Sequence, residues 1–467
     1  MPSAAFTTLG CKVNQYETQR ILESFEEAGF EIVPFETVAD VYVINSCSVT
    51  SIAESKSRYT IRRASRLNPA AKVVVTGCAA QMASNRGEQV DGADVVVPNP
   101  DKLNTLKYLF KGFPEFERRV LDDRRGPTIR EFGRTRATLK VQDGCSVYCS
   151  YCSIPYTRPV MASRPYSELL TEAKALVDRG YKEIVLTGVL IGAYGPGTGS
   201  EGLDFEGMVE GLARESGAER IRISSIEMRQ VTDRLIKLIQ GGLVTPHLHI
   251  PLQSGDSGVL SDMNRPYSQE DFLLLCEKLH RSVQDISLTT DIMVGFPTET
   301  AERFQSTVFV CERVGFLKAH VFRFSPRFGT PADSWGDPVD PREKVRRSTV
   351  LGAISTRTGI EHGSRFVGRT MRVLVEGKLT KGGLLEGLTD NYLQVQFAGP
   401  LYLQRQLCHV RLLEVRGDAI LGELASESSE AKRALRILSP ERRSDASPAS
   451  STGEGKMHHA NAVHQDH

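Results

Sequence analysis

Short apolar runs alternate with amphipathic stretches along the first hundred residues. Residues 5–9, 41–44 and 73–75 read as strands, and residues 15–28 and 52–67 between them carry apolar side chains at helical spacing. Repeated strand-helix units of this kind predict an open parallel sheet covered by helices. Each strand-like run leads straight to a cysteine: Gly10-Cys11, Asn45-Ser46-Cys47 and Thr76-Gly77-Cys78. Ligands of open parallel sheets collect beyond the carboxyl ends of the strands, so Cys11, Cys47 and Cys78 are expected in one crevice. Two readings stay open for them, three buried small hydrophobes or a three-thiolate cluster site.

The pattern loosens from about residue 99 and turns basic, with Arg118-Arg119, Arg124-Arg125-Gly126-Pro127 and Arg134-Thr135-Arg136. Residues 101–136 are expected to link the α/β domain of residues 1–100 to a second domain, either for solubility or along an RNA path. A second series begins at 137, with strand-like runs at 137–141, 183–187, 220–224, 247–252, 287–292 and 318–324. Helical stretches separate them, as at 167–179, where Leu169, Leu170, Ala173, Leu176 and Val177 share a face. Six such repeats predict a partial (β/α) barrel over 137–340, with functional groups just after the strands. The candidates there are Gly188 and Gly192 of the loop 188–195, Ser225 and Glu227, Gln253 and Ser254, and Asp291. They suit ribose and amino-acid recognition, although each type is also common in turns.

A helix is predicted over 341–361. Alternating runs at 369–376, 384–388, 392–397, 409–415 and 419–424 then predict a small five-stranded, OB-like β-barrel over 362–425. Such barrels bind looped nucleic acid, or the element is a structural cap. Residues 426–467 are rich in Ser, Ala and charge and are expected to be disordered, with His458, His459, His464 and His467 incidental.

Composition changes this picture little. Of 467 residues, 40% are hydrophobic and 25% charged, with 58 Lys and Arg against 57 Asp and Glu, so global charge announces no nucleic-acid partner. Lys56, Arg58, Arg62, Arg63 and Arg66 form a local basic helix, either a solvated face or an RNA contact. No apolar run approaches the roughly 18 residues of a membrane span, and no secretory leader is evident. A cytoplasmic location with reduced thiols is therefore expected.

The cysteine pattern carries the chemistry. Cys145, Cys149 and Cys152 are spaced C-x3-C-x2-C after a strand and Asp143-Gly144. Structural zinc needs four ligands, usually from paired C-x2-C units, and no such pair exists in the chain. Three thiolates in a short loop instead suit three irons of a [4Fe-4S] cube, with the fourth iron open to a non-protein ligand. This loop resembles that of the radical S-adenosylmethionine enzymes. The whole chain short of its tail resembles the methylthiotransferases of that superfamily, and most closely their MtaB-type tRNA branch. The residues that carry the likeness are Leu9-Gly10-Cys11-Lys12-Val13-Asn14, Thr187-Gly188-Val189, His249-Ile250-Pro251-Leu252-Gln253-Ser254-Gly255 and Ser325-Pro326-Arg327. Leu190, Met228 and Thr298 depart from the family's usual residues, and none of them adjoins a cysteine.

The resemblance implies two [4Fe-4S] clusters and S-adenosylmethionine. Cys145, Cys149 and Cys152 would hold the cluster that cleaves it, and Cys11, Cys47 and Cys78 an auxiliary cluster. It implies a terminal barrel of the TRAM type and a substrate in the tRNA anticodon stem-loop, N6-threonylcarbamoyladenosine. A 5'-deoxyadenosyl radical would take hydrogen from C2, the auxiliary cluster would supply sulfur, and a second S-adenosylmethionine would supply methyl. An adenine C2–H is beyond side-chain acid-base chemistry, which is why a cofactor radical is needed. A flavodoxin or ferredoxin as electron donor and a monomeric protein are expected. The alternatives are a ribosomal-protein aspartate methylthiotransferase and a non-enzymatic iron-sulfur RNA-binding protein.

Overall fold

Strands β1 (Ser3–Thr8), β2 (Glu31–Val33), β3 (Val41–Ser46), β4 (Lys72–Gly77) and β5 (Val95–Val96) form a parallel sheet in the order β2-β1-β3-β4-β5. Consecutive residues of the inner strands point into two different cores. Ala4, Val41, Val43 and Val74 join Ile21 and Phe25 of the helix Lys12–Ala28 on one face. Ala5, Tyr42, Ile44, Val73 and Val75 join Ile61 and Ala64 of the helix Ser51–Leu67 on the other. Burial on both faces explains why these strands read as unbroken apolar runs. The strand order reverses between β1 and β3, and the crevice at such a switch point is where this topology binds ligands.

The computed structural model describes residues 1–48, 50–122 and 134–425. Arg124, Arg125, Gly126 and Pro127 of the expected linker, and the tail 426–467 with its histidines, lie outside the described residues. The first part of the expected linker departs from its reading as loose chain. Residues 99–122 form a 3-10 turn, Asn99–Asn104, and the helices Thr105–Gly112 and Pro114–Asp122. Leu109, Phe116 and Val120 bury themselves against the sheet helix, and Phe110 and Phe116 both stack on Phe30. Apolar side chains spaced three and four apart outweighed the run of charge.

The central strands are β6 (Ala137–Lys140), β7 (Gln142–Asp143), β8 (Ala162–Ser163), β9 (Glu183–Thr187), β10 (Arg220–Ile223), β11 (His247–His249), β12 (Ser287–Val294) and β13 (Lys318–Arg323). Two parallel triplets, β6-β9-β10 and β11-β12-β13, are joined by a parallel bridge between Ser225 and His249. The result is a six-stranded arc, the partial barrel expected, around a core that includes Leu139, Leu186, Ile223, Leu248 and Leu288. Strand β11 is shorter than the run 247–252 suggested, because Pro251 brings no N–H to the ladder. The short antiparallel pair β7 and β8 brackets the cysteine loop.

The helix Pro341–Ser364 runs along β13, where the Ala319 N–H donates to Ser355 Oγ at 2.8 Å and Thr358 Oγ donates to the Phe316 carbonyl at 2.8 Å. It leads into β14 (Thr370–Leu379), β15 (Leu385–Thr389), β16 (Gln394–Ala398), β17 (Leu407–Arg416) and β18 (Ala419–Leu424). These close a barrel in the order β14-β15-β16-β18-β17, with β16 and β18 parallel, around Val373, Val375, Val395, Phe397 and Val410. The barrel docks on the arc through buried Arg220, which donates to the Arg372 carbonyl at 2.8 Å and the Leu388 carbonyl at 3.1 Å. No helix of the described residues is long and apolar enough to cross a membrane.

Candidate functional site

Cys11, Cys47 and Cys78 stand at the carboxyl ends of β1, β3 and β4, and none is in a disulfide. Asn14 sets the first turn by donating through Nδ2 to the Leu9 carbonyl at 2.9 Å and the Ser46 carbonyl at 3.1 Å. Gly10 is at φ +98, and a Cβ there would lie 2.7 Å from Cys47 Sγ, so the first two cysteine turns touch through a glycine. Gly77 is at φ +97 with space for no side chain, since a Cβ would lie 2.3 Å from the Ser46 carbonyl oxygen. Cys78 then opens the helix Cys78–Asn85, and Asn99 Nδ2 approaches its sulfur at 3.7 Å. Cys11 faces open space yet is surrounded by protein, and this burial raises its thiol pKa above the ordinary value.

The loop 145–152 is fixed at both ends. Gln142 donates to the Gly144 carbonyl at 2.9 Å and accepts at Oε1 from the N–H groups of Val189 and Leu190 at 3.1 and 2.8 Å. Its own polar side chain thereby ties the loop to the glycine-bearing turn after β9. At the far end Asn264 Nδ2 donates to the carbonyls of Val147 and Tyr148 at 3.1 and 2.9 Å, and the Ser150 N–H donates to the Met263 carbonyl at 3.0 Å. Arg265 donates to Cys149 Sγ at 3.4 Å, and the Ile154 N–H to Cys152 Sγ at 3.5 Å. Burial pushes the Cys152 thiol up to about 12 and raises Cys145 as well. Metal ligation at such thiols must expel a proton.

An ion network connects the two triads. Glu17, buried on the helix Lys12–Ala28, accepts from Lys102 Nζ at 2.7 Å, Lys140 Nζ at 2.6 Å and both terminal nitrogens of Arg158 at 2.9 and 2.7 Å. Arg158 and Lys140 each also donate to Asp143 at 2.7 Å, two residues before Cys145. Burial opposes these charges and pushes Lys102 down, but Lys102 and Arg158 hold the Glu17 carboxyl well below the usual carboxylate range. The pattern of the helix held a signal for Glu17, a charge within the Val13, Ile21 and Phe25 stripe. Nothing in the local sequence marked Arg158 or Arg265.

Cys11, Cys47 and Cys78 open on a cavity of about 1090 Å³. Its opposite wall carries Thr187, Gly188, Ser225, His247, His249 and Asp291 from the ends of the arc strands, and its rim carries Glu376, Lys378 and Tyr392 of the terminal barrel. Of the candidates after the strands, Gly188, Ser225 and Asp291 thus face the cavity. Gly192, Glu227, Gln253 and Ser254 are not among its lining residues. Gly192 donates its N–H to Gln230 Oε1 at 3.2 Å, and Glu227 accepts from Arg265, the residue that meets Cys149. Gln253 sits in the left-handed region at φ +64, and Ser254 is wholly buried, its Oγ accepting from the Asp256 N–H at 3.2 Å. The sequence reading did not name His247 or His249 as site residues, although His249 heads the motif 249–255; both meet Thr289 Oγ at 3.0 Å, while His249 Nε2 lies 3.2 Å from Asp291. Their alternation on β11, His-Leu-His, places both on one face and could have marked them.

Among the described residues no three His, Cys, Asp or Glu side chains converge on a point as a single metal ion requires. Cys11, Cys47 and Cys78 come from three turns to line one cavity, and Cys145, Cys149 and Cys152 from one short loop, and a four-iron cluster takes each thiolate on a different iron. The cationic and N–H donors to Cys149, Cys152 and Cys78 suit sulfurs that carry negative charge. Both triads therefore fit an iron-sulfur cluster.

The model of the Uncharacterized protein family UPF0004 matches residues 3–98, and that of the Radical SAM superfamily matches residues 139–311. The chain is 39% identical over 429 residues to the threonylcarbamoyladenosine tRNA methylthiotransferase MtaB of Bacillus subtilis, covering 89% of this chain and 94% of that one. It is 37% identical to the protein of the same name from Chlamydia pneumoniae, over 89% and 96% of the two chains. A tRNA-2-methylthio-N(6)-dimethylallyladenosine synthase of Bacillus cereus is 33% identical, over 91% of this chain and 86% of its own.

Proposed function

The chain belongs to the threonylcarbamoyladenosine tRNA methylthiotransferases of the radical S-adenosylmethionine superfamily, and from that premise we propose how its residues serve the reaction. It is an enzyme that methylthiolates C2 of N6-threonylcarbamoyladenosine in tRNA, with [4Fe-4S] clusters and S-adenosylmethionine as cofactors. The observation that carries the reading is the shared cavity, on which the three thiols Cys11, Cys47 and Cys78, the ends of the arc strands and the terminal barrel all open.

Cys145, Cys149 and Cys152 would hold one cluster and Cys11, Cys47 and Cys78 the other. When bound, the clusters and S-adenosylmethionine supply the electron, the carbon-centred radical, the sulfur and the methyl group. The chain's own residues do the rest. Arg265 donates to Cys149 and is held by Glu227, so it fixes the sulfur's position and offsets its charge. Gln142 links the cysteine loop to the turn at Val189 and Leu190, so Gly188 and Ser225, with Asp291 opposite, would border the S-adenosylmethionine site. Gly192, Glu227, Gln253 and Ser254 would support that border from behind. His247, stacked on Tyr392 at 4.2 Å between ring centroids, joins the arc to the barrel at the cavity into which an unstacked base would be placed.

On the same reading the terminal barrel is a TRAM-type module that anchors the anticodon stem-loop. The domains run 1–100, 137–340 and 362–425, joined by 101–136 and the helix region 341–361. A flavodoxin or ferredoxin delivers electrons to a monomer in the cytoplasm. Anaerobic reconstitution with iron and sulfide, followed by incubation with tRNA and with ribosomal protein, tests the assignment. Mass spectrometry is expected to find the 2-methylthio derivative of threonylcarbamoyladenosine in the tRNA. Unchanged tRNA alongside a thiomethylated ribosomal protein would reject it.

A further inference from the structure

The substrate's N6 substituent ends in a free carboxylate. Only one ring nitrogen separates C6, which bears that substituent, from C2, where sulfur arrives. The carboxylate lies only the length of a carbamoyl-linked amino acid beyond N6, so a group that binds it lies in the same cavity as the auxiliary triad. A carboxylate that leaves water for a cavity also needs a cation with which to form a charge-assisted hydrogen bond.

Six cations line the cavity, Lys12, Arg134, Arg136, Arg158, Arg222 and Lys378. Three are committed elsewhere. Arg158 is held by Glu17 and Asp143, Arg222 by Glu183 at 2.7 Å, and Arg136 by Glu376 at 2.9 Å. Among the described residues Lys12, Arg134 and Lys378 make no ion pair with a carboxylate, and Arg134 is engaged with Gln15. Lys378 belongs to the barrel rim. Lys12 directly follows Cys11, is exposed to the cavity, and lies near enough to His247 and His320 on the opposite strands to disfavour their protonation, beyond what burial does. Among the described residues no acid of the cavity forms an ion pair with it. Asp291 is paired with His249, Glu376 with Arg136, and Glu386 accepts from Gln396 at 2.8 Å. A second polar group awaits a partner on the wall opposite Lys12: His247 is 4% exposed, and its Nδ1 is buried with no hydrogen bond.

We propose that Lys12 is the counter-ion of the threonyl carboxylate and so a specificity-determining residue. It selects an N6 substituent that carries a negative charge over an apolar one. The inference rests on the substrate assigned above.

The test uses the reconstituted holoenzyme and anticodon stem-loops that carry either threonylcarbamoyladenosine or its methyl ester, which lacks the charge. With Lys12→Gln the KM for the charged RNA is expected to rise roughly tenfold or more, the scale of a lost hydrogen bond to a charged group. For the ester the wild type and Lys12→Gln should give the same KM within about twofold, and Lys12→Arg should recover most of the loss on the charged RNA. KM does not depend on the fraction of loaded enzyme, so the ratio between the two RNAs within each protein survives any loss of iron beside Cys11. Equal losses on both RNAs would overturn the proposal and point to a phosphate contact or to a positioning role for Cys11. A wild-type protein that modifies neither RNA would instead overturn the functional reading on which it stands.

Discussion

Glu17 occupies a position that the pattern of its own helix assigns to an apolar side chain, and it holds three cations there. Removal of its charge leaves Lys102 buried without a carboxylate and Arg158 with Asp143 alone. Glu17→Gln is expected to cost about 3–5 kcal/mol at neutral pH, read as a lowered unfolding midpoint. Because the native carboxyl titrates below its unfolded value, this contribution is complete above about pH 4.5 and fades as pH falls further. The gap between wild type and variant should therefore narrow in acid, and an unchanged gap at pH 3 would contradict the ion-pair account. His362 behaves with the same sign from another cause. Burial, with Arg365 adding to it, lowers its pKa to about 4, and its Nε2 lies 2.8 Å from Ser287 Oγ. Its stability contribution is complete above the ordinary imidazole value near 6.5 and is lost as pH falls from there towards 4. His362→Gln should flatten the acid side of a stability profile between those values, and a profile of unchanged slope would count against it. At this scale the sequence announced Cys145, Cys149 and Cys152 through spacing, and Cys11, Cys47 and Cys78 through their place after strand-like runs. It was silent on Arg158 and Arg265, whose carboxylate partners Glu17 and Glu227 lie 141 and 38 residues away.

The turns that end β1, β3 and β4 do the positioning, and two of them depend on glycine. Gly10→Ala would have to place a methyl 2.7 Å from Cys47 Sγ in a backbone region that L side chains avoid. A cost of about 1–3 kcal/mol and a displaced Cys47 are expected. Iron analysis after reconstitution should show a deficit confined to one cluster per chain, and full iron content with wild-type stability would refute the close contact of the two turns. Element by element, the long runs were legible because burial on both faces leaves an unbroken apolar signature. The edge strands β2 and β5, only three and two residues long, were not. The helices at 105–122 were hidden by their charges, since a basic surface and an apolar stripe coexist on one helix and composition averages over both.

Across the whole molecule, the parallel sheet, the arc and the barrel were each readable from periodicity, but the cavity between them was not. It is made by contacts with no local pattern: Glu17 to Arg158, Arg220 to the Arg372 and Leu388 carbonyls, and His247 on Tyr392. The triad on the cavity, Cys11, Cys47 and Cys78, and the triad of the loop 145–152 have separate duties, so loss of one should not mimic loss of the other. The most direct measurement quantifies 5'-deoxyadenosine and modified tRNA nucleosides by mass spectrometry in reconstituted wild type, Cys149→Ala and Cys47→Ala. The wild type should form 5'-deoxyadenosine and the methylthio nucleoside, Cys149→Ala neither, and Cys47→Ala 5'-deoxyadenosine without the methylthio product. Wild-type yields of that product from Cys47→Ala would contradict the account.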